Sequence, residues 1–226
     1  AWRGDRPVGT IAAFINHRHN EFHDENIGFF GAFEVYDDEE AAYALLDTAA
    51  DYVRALGCDA LRGPATLSTN EECGLLVEGF DQQPVVLYPY NPAYYRRLLE
   101  NAPGFKQVME SYAYDLALED TTRSEQLMRL YRVIDKNSKR RGIVVRALNP
   151  RETKREFAIF REIYNVAWER NWGFVPFSEA ELTELVADLG MYVLPELTLF
   201  AEVRGDPAGF LLTIPNLNQA LKHARP

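Results

Sequence analysis

Apolar residues along the chain recur with two periods, and their alternation predicts an α/β protein of mixed sheets flanked by helices. Residues 26–36, NIGFFGAFEVY, form an aromatic, β-branched run of strand length. Over 39–56, Ala42, Leu45, Leu46, Ala49, Val53 and Leu56 follow helical spacing, with Asp38 as cap and Gly57 as stop. A short strand at 58–62 comes next. Residues 63–90 are irregular and punctuated by glycine and proline, and Asn91-Pro92 then opens a helix to about residue 101. The pattern over 105–118 reads as a strand with Val108, Tyr112 and Tyr114 facing inward. Residues 122–140 read as a helix that buries Leu127, Leu130, Tyr131 and Ile134. A strand at 143–148 leads to a helix after Asn149-Pro150, with Phe157, Phe160, Tyr164, Ala167 and Trp168 as its buried stripe. Ser178 and Glu181 form a capping box for a helix ending near 189, and a hairpin spans 197–214.

The two ends of the chain repeat one another. RGDRPVGTIAAFINHRHNEFH (3–23) matches RGDPAGFLLTIPNLNQALKH (204–223). From the proline onward the offset is constant: Pro7 with Pro207, Gly9 with Gly209, Asn16 with Asn216 and His23 with His223, each 200 residues apart. In each copy Arg-Gly-Asp is turn chemistry, and the apolar run after it suits a buried strand. A duplication follows, with fragments that complement each other. Residues 1–120 are expected to be the C-terminal part of a first, degenerate domain. Residues 121–142 connect, and 143–226 are the N-terminal part of a second domain. With no initiating methionine and a motif interrupted at Pro226, the chain reads as a piece of a longer protein.

Joined, the two fragments give strand, two helices, three strands, helix, strand, helix, strand. That order resembles the GNAT superfamily of acyl-CoA-dependent N-acetyltransferases, and in particular bacterial tandem GNAT-like acetyltransferases. FREIYNVAWERNWGFVPFSEAELTELV (160–186) looks like the first two helices of such a domain. AEVRGDPAGFLLTIPN (201–216) looks like its second and third strands, and NPAYYRRLLENAPGF (91–105) like the element at its fourth helix. The resemblance implies acetyl-CoA as cofactor and a small-molecule or peptide amine as acceptor.

Two departures qualify it. GNAT enzymes cradle the acyl-CoA pyrophosphate on a glycine-rich loop before the third helix, where backbone N–H groups and the helix dipole favour anions. VYDDEEAAYALL (35–46) stands in that place, with no glycine and with Asp37, Asp38, Glu39 and Glu40. These acids suit a helix N-terminus and repel phosphate. No cofactor-binding residue is therefore recognisable in the chain, and the working loop is expected beyond Pro226. In GNAT enzymes a tyrosine that protonates the leaving thiolate lies seven residues after the asparagine; counted from Asn91, that place is Leu98. Tyr94 and Tyr95 stand earlier and suit a core. No catalytic residue is assigned.

Composition narrows the partners. A net charge of −10 argues against nucleic acid, which demands a basic face, and the basic run 136–141 sits where a helix dipole favours cations. No stretch approaches the ~18 apolar residues of a membrane span, and no secretory leader is visible. Cys58 and Cys73 match neither a disulfide framework nor a zinc pattern, so a cytoplasmic setting is expected. Gly-x-Ser-x-Gly, P-loop and His-Glu-x-x-His motifs are missing.

Three constellations remain. His17, His19 and His23 share a polar end after a strand and are read as a hairpin end or cleft rim, not as a metal site. The segment 63–92 is long for a connection and rich in leucine, valine and tyrosine. It is expected to form one wall of a cleft, with Asn70, Glu71, Glu72, Tyr88, Tyr90, Asn91 and Tyr94 as substrate-cleft residues. Trp172, past the buried helical stripe, is a further substrate contact. The leading functional expectation is acyl transfer to an amine. Alternatives are a non-catalytic binding or scaffold role for the degenerate first copy, and a Fem-type aminoacyl transferase, against which the acidic balance weighs.

Overall fold

In the computed structural model, which describes residues 1–116 and 125–224, both Arg-Gly-Asp segments are tight turns between antiparallel strands. β1 (Trp2–Arg3) meets β2 (Arg6–Pro7) across a two-residue loop in which Gly4 takes φ +61°. The second hairpin turns at Arg204 and Gly205, with φ 56° and 94°, the pair of positive values that matches the twist of a hairpin. Each hairpin feeds a strand that ends in an asparagine-capped helix. Asn16 accepts from the His19 N–H at 2.9 Å and opens α1 (His17–His23). Asn216 accepts from the Asn218 N–H at 3.2 Å and opens a helix at Leu217–Leu221. The duplicated segments thus share strand, cap and helix. The three histidines lie on a helix, not at a strand end: Asn16 offers a capping oxygen, and the local hydrogen bond wins over extension of the strand.

The chain divides into two compact units. The first comprises Ala1–Val108, Glu169–Val175 and the segment from Asn216 onward; the second comprises Met109–Trp168 and Pro176–Pro215. In the first unit, β3 (Gly9–Phe14) pairs antiparallel with β4 (Ile27–Val35), which pairs parallel with β5 (Ala60–Arg62). The parallel pair requires a crossover, and α2 (Glu39–Ala55) supplies it. Ala42, Leu45, Leu46, Ala49 and Val53 all face the core, with Phe30, Phe33 and Val35 of β4 opposite. Leu56, the last residue of the predicted stripe, is exposed because it lies past the helix end. α3 (Tyr94–Glu100) closes the core with Tyr95 and the fully buried Leu98.

The second unit contains α4 (Glu125–Arg141), β6 (Ile143–Ala147), α5 (Thr153–Trp168), α6 (Glu179–Leu189), β7 (Leu199–Val203) and β8 (Asp206–Leu211). Its three strands form an antiparallel sheet in the order β6-β7-β8. Leu148, Phe160, Leu182 and Phe200 are its buried centre. The Ser178–Glu181 capping box is complete, each side chain taking the other's backbone N–H. The asparagine-capped helix at Leu217–Leu221, which belongs to the first unit, is α7.

Three expectations change. Residues 107–116 form no strand, and Val108, Tyr112 and Tyr114 are exposed; 117 and 118 lie outside the described residues. Alternation proposes a strand, but only a ladder partner makes one. α4 forms as expected, although its start at 122–124 lies outside the described residues, yet all four residues of its expected stripe, Leu127, Leu130, Tyr131 and Ile134, are exposed. Periodicity draws the stripe without naming what covers it. Ala167 is exposed, and Trp168 is 47% exposed and stacks on Tyr164, because the last turn of α5 runs past the apolar cluster. No described helix is long and apolar enough to cross a membrane.

Arg146 on β6 is the polar keystone of the second unit. Its guanidinium meets Glu156 at 2.8 Å and Glu202 at 2.6 Å and lies over the Phe200 ring. Glu156 is only 1% exposed, so its charge depends on that partner. Arg146→Met is expected to cost about 3 kcal/mol in urea unfolding, the low end for breaking a buried pair because Arg146 keeps some solvent. Adding Glu156→Leu to the same chain should recover most of the loss.

Candidate functional site

β4 and β5 run parallel only briefly. Their pairing, Ile27 with Ala60, Gly28 with Leu61 and Phe29 with Arg62, ends in one further bond, from the Ala65 N–H to the Phe30 carbonyl at 2.8 Å. At that neck the chains nearly touch. A Cβ on Gly31 would stand 2.0 Å from the Ala65 carbonyl oxygen, and one on Gly63 would stand 2.4 Å from that of Phe30. Only glycine fits at either place. Beyond it the chains part, and β4 carries an extra residue around Ala32, whose φ is +45°. The bulge shifts the alternation, so that Phe30 and Phe33 both face α2 and α3.

The parting leaves the Val35 backbone without a strand neighbour on that side, and α3 supplies the partners. The Tyr95 hydroxyl accepts from the Val35 N–H at 3.0 Å and donates to Glu34 Oε2 at 2.7 Å. The Tyr94 hydroxyl donates to the Val35 carbonyl at 2.8 Å. Burial, reinforced by Glu34, pushes the Tyr95 phenol up to about 12 in spite of the Val35 hydrogen bond. Burial and the carboxylates of Asp37 and Glu34 raise Tyr94 as well. Between the parted chains lies a cavity of about 100 Å³ whose wall includes Glu34, Glu72, Tyr90, Asn91 and Tyr95.

Of the residues expected around a cleft, Glu72, Tyr90 and Asn91 line this cavity, and Tyr94 adjoins it through Val35. Asn91 does not cap α3, whose cap position is Ala93 with no side-chain bond. Its amide instead holds the long segment in place, accepting from the Leu76 N–H at 2.8 Å and donating to the Leu76 carbonyl at 3.2 Å. Leu75, Leu76 and Val86 are partly buried, whereas Val85 and Leu87 are exposed. Glu71 and Tyr88 are exposed and line no part of the cavity. Asn70 points elsewhere, donating to the Val175 carbonyl at 2.9 Å. Trp172 lies under the Arg62 guanidinium, 5.1 Å from ring centroid to Cζ. Gly31, Glu34 and Tyr95 complete the site and were not among the expected residues. A glycine inside an aromatic strand, a sign of close backbone approach, was the available signal.

At the N-terminus of α2 the four acids are engaged. Asp38 accepts from the Ala41 N–H at 3.1 Å, and that bond together with the Arg3 guanidinium holds its carboxyl below the ordinary range. Arg3 reaches Asp38 at 2.7 Å and Glu40 at 3.0 Å; Arg97 binds Asp37 and meets Glu39 at 2.9 Å.

A second polar cluster lies where α1 meets β5. His19, 1% exposed, places Nε2 2.9 Å from Glu25 Oε2, and Arg62 meets Glu25 at 3.1 Å. His23 stacks beside His19 at 4.4 Å and donates from Nε2 to the Phe174 carbonyl at 2.7 Å. Burial lowers the His19 imidazole from its ordinary 6.5, against the pull of Glu25. Burial raises Glu25, but its hydrogen bonds from His19 and Arg62 outweigh this and hold it below the ordinary value. The cluster thus anchors residues 169–175 to α1 and carries a neutral imidazole in a charged setting.

No family model matches the chain, and no solved structure matches it. Two curated proteins are similar along nearly its whole length. Protein YghO of Escherichia coli (strain K12) is 32% identical over 214 residues, which is 95% of this chain and 53% of that protein. Bacterial ceramide synthase of Caulobacter vibrioides (strain NA1000 / CB15N) is 33% identical over 225 residues, which is 98% of this chain and 56% of that protein. The chain spans about half the length of the curated relatives it matches.

Two outcomes test this geometry. Gly31→Ala is expected to destabilise the first unit by about 3 kcal/mol, the upper end for overpacking, because the obstacle is backbone and cannot rotate away. Denaturant midpoints measure it. Because the His19 value is lowered in the folded state, its contribution is complete above the ordinary 6.5 and is lost as pH falls from there through the lower folded value. His19→Gln should therefore flatten the decline of melting temperature as pH falls below about 6.5.

Proposed function

We propose that the protein containing this chain is an N-acyltransferase that joins an acyl thioester to the primary amine of a long-chain amino alcohol. The observation that carries this reading is the similarity, over 98% of the chain, to a protein named a ceramide synthase. A ceramide is the amide of a fatty acid with a long-chain amino alcohol, so its synthesis forms a carbon–nitrogen bond. When a thioester is the donor, a carbon–sulfur bond breaks and the ammonium nitrogen loses two protons on the way to the amide; the departing thiolate takes one, and a base or water takes the other. The resemblance to the GNAT superfamily supports the same class of chemistry.

The cavity of the first unit suits the acceptor. It opens outside the carboxyl ends of two parallel strands, where α/β sheets commonly bind ligands. Glu34 and Glu72 on its wall attract an ammonium group, and Tyr90 and Asn91 add polar edges for hydroxyls. Tyr95, held protonated, keeps the Glu34 carboxylate in place. The acyl-CoA phosphates do not fit at the N-terminus of α2. Two carboxylates in its first turn and two more at and before its cap fill that end, and Arg3 and Arg97 are already committed to them. We assign the phosphate site to the part of the full-length protein outside this chain. The same crowded helix start favours a second reading, in which the first unit only binds the acceptor and contributes no chemistry.

The test is amide formation by the full-length protein from sphinganine and a series of acyl-CoAs, followed by mass spectrometry. An N-acyl product is expected, and its absence across acyl lengths and amine acceptors overturns the reading. Glu34→Gln should raise KM for the amine about tenfold with kcat little changed, since it removes a charge that binds the ammonium. An unchanged KM would move the acceptor out of this cavity.

A further inference from the structure

α4 shows an apolar face to solvent. Leu127, Leu130, Tyr131 and Ile134 stand at positions i, i+3, i+4 and i+7, one face of a helix, and each is between 43% and 62% exposed. The corresponding stripe of α2 is buried, with Leu46 and Val53 almost fully covered. Arg129, Arg132, Lys136 and Arg140 follow helical spacing on the opposite side of α4. Its 17 residues hold six of the chain's 24 lysines and arginines but only two of its 34 acids. Those two acids are taken up within the helix, Glu125 by Arg129 at 3.2 Å and Asp135 by Lys139 at 2.7 Å. Arg132, Lys136, Arg140 and Arg141 have no carboxylate partner among the described residues.

A helix of 17 residues is marginal in water by itself, and burial of its amphipathic face is what stabilises such a helix. The helix dipole explains cations in the last turn, Lys139, Arg140 and Arg141, but not Arg129 and Arg132 in the first half. The partner that fits takes both the apolar stripe and the excess of positive charge. A protein groove would cover the stripe and leave the cations on the opposite side idle. A layer of anionic headgroups uses both. Apolar side chains enter between acyl chains, and long lysine and arginine arms bend back to the phosphates. No described helix is long and apolar enough to cross a membrane, so this one lies along the surface. We infer that α4 is an interfacial helix that docks on a bilayer containing anionic phospholipid, with Leu127, Leu130, Tyr131 and Ile134 toward the acyl chains. This goes beyond the proposed acyl transfer and does not depend on it.

Co-sedimentation of the full-length protein with vesicles tests this without a catalytic step. Binding is expected to vesicles of phosphatidylglycerol and phosphatidylcholine in equal parts, and little to phosphatidylcholine alone. Most of it should be lost between about 0.1 and 0.5 M sodium chloride, as screening shortens the reach of the cations. Arg140→Gln with Arg141→Gln removes two surface cations and should weaken binding about thirtyfold. Leu130→Ser with Ile134→Ser should weaken it about tenfold or more. The melting temperature should hold in both double variants, because all four sites are exposed. No binding to the anionic vesicles overturns the inference, as does equal binding to phosphatidylcholine alone or unchanged binding in either double variant. A lowered melting temperature for the serine variant together with absent binding identifies polypeptide of the full-length protein as the cover of the stripe, and overturns it too.

Discussion

The parting of two parallel strands, and the backbone groups it strands, governs the first unit. A sheet that opens in its middle exposes N–H and carbonyl groups that have neither ladder nor water, and each must be paired. Here Tyr94 and Tyr95 reach from α3 to the two polar groups of Val35. Gly31 and Gly63 let the chains converge just before they separate. The bulge at Ala32 then returns Phe33 and Val35 to the core, so the opening costs the sheet little burial. Removing any one of these devices would leave either a clash or an unpaired buried group, which explains why the cavity, the helix and the long segment 63–90 come as a set. Asn91 ties the last of them down through Leu76.

Charge is distributed according to the same economy. The acids at the start of α2 do two things: they cap the helix, and with Arg3 and Arg97 they neutralise a surface that would otherwise accept an anion. Of the acids on the cavity wall, Glu34 and Glu72, Glu34 takes the Tyr95 hydroxyl in place of a guanidinium. The two acidic groups thus differ in their partners. In the second unit Arg146 takes up Glu156 and Glu202, leaving an interior that is otherwise apolar around Thr198.

Much was legible in the residues alone. Helical spacing placed α2, α4, α5 and α6, capping signals at Asp38 and at Ser178–Glu181 marked two helix starts, and turn residues located both hairpins. These are local properties: a cap, a turn and an amphipathic face are decided within a few residues of chain. The repeat read from the two ends recurs as strand, asparagine cap and short helix in both places. Part of the cavity wall, Glu72, Tyr90 and Asn91, was legible too, because an apolar segment too long for a turn must fold onto something.

Tertiary structure decided the rest. Whether an alternating run becomes a strand depends on a partner's free edge, and 105–116 forms no strand. Whether a helical stripe is buried depends on what lies opposite, and α4 shows its whole expected stripe exposed. Tyr95 joined the site because its hydroxyl falls beside Val35, 60 residues away in sequence, a closeness that no spacing encodes. His19, Glu25 and Arg62 came together through the meeting of a helix and a strand, and the Thr198 hydroxyl was left without a hydrogen-bond partner only once Leu148, Phe160 and Phe200 closed around it. Local signals act over a few bonds and are written in order along the chain. Long-range contacts are set by which surfaces exclude water together, and that is a property of the folded whole.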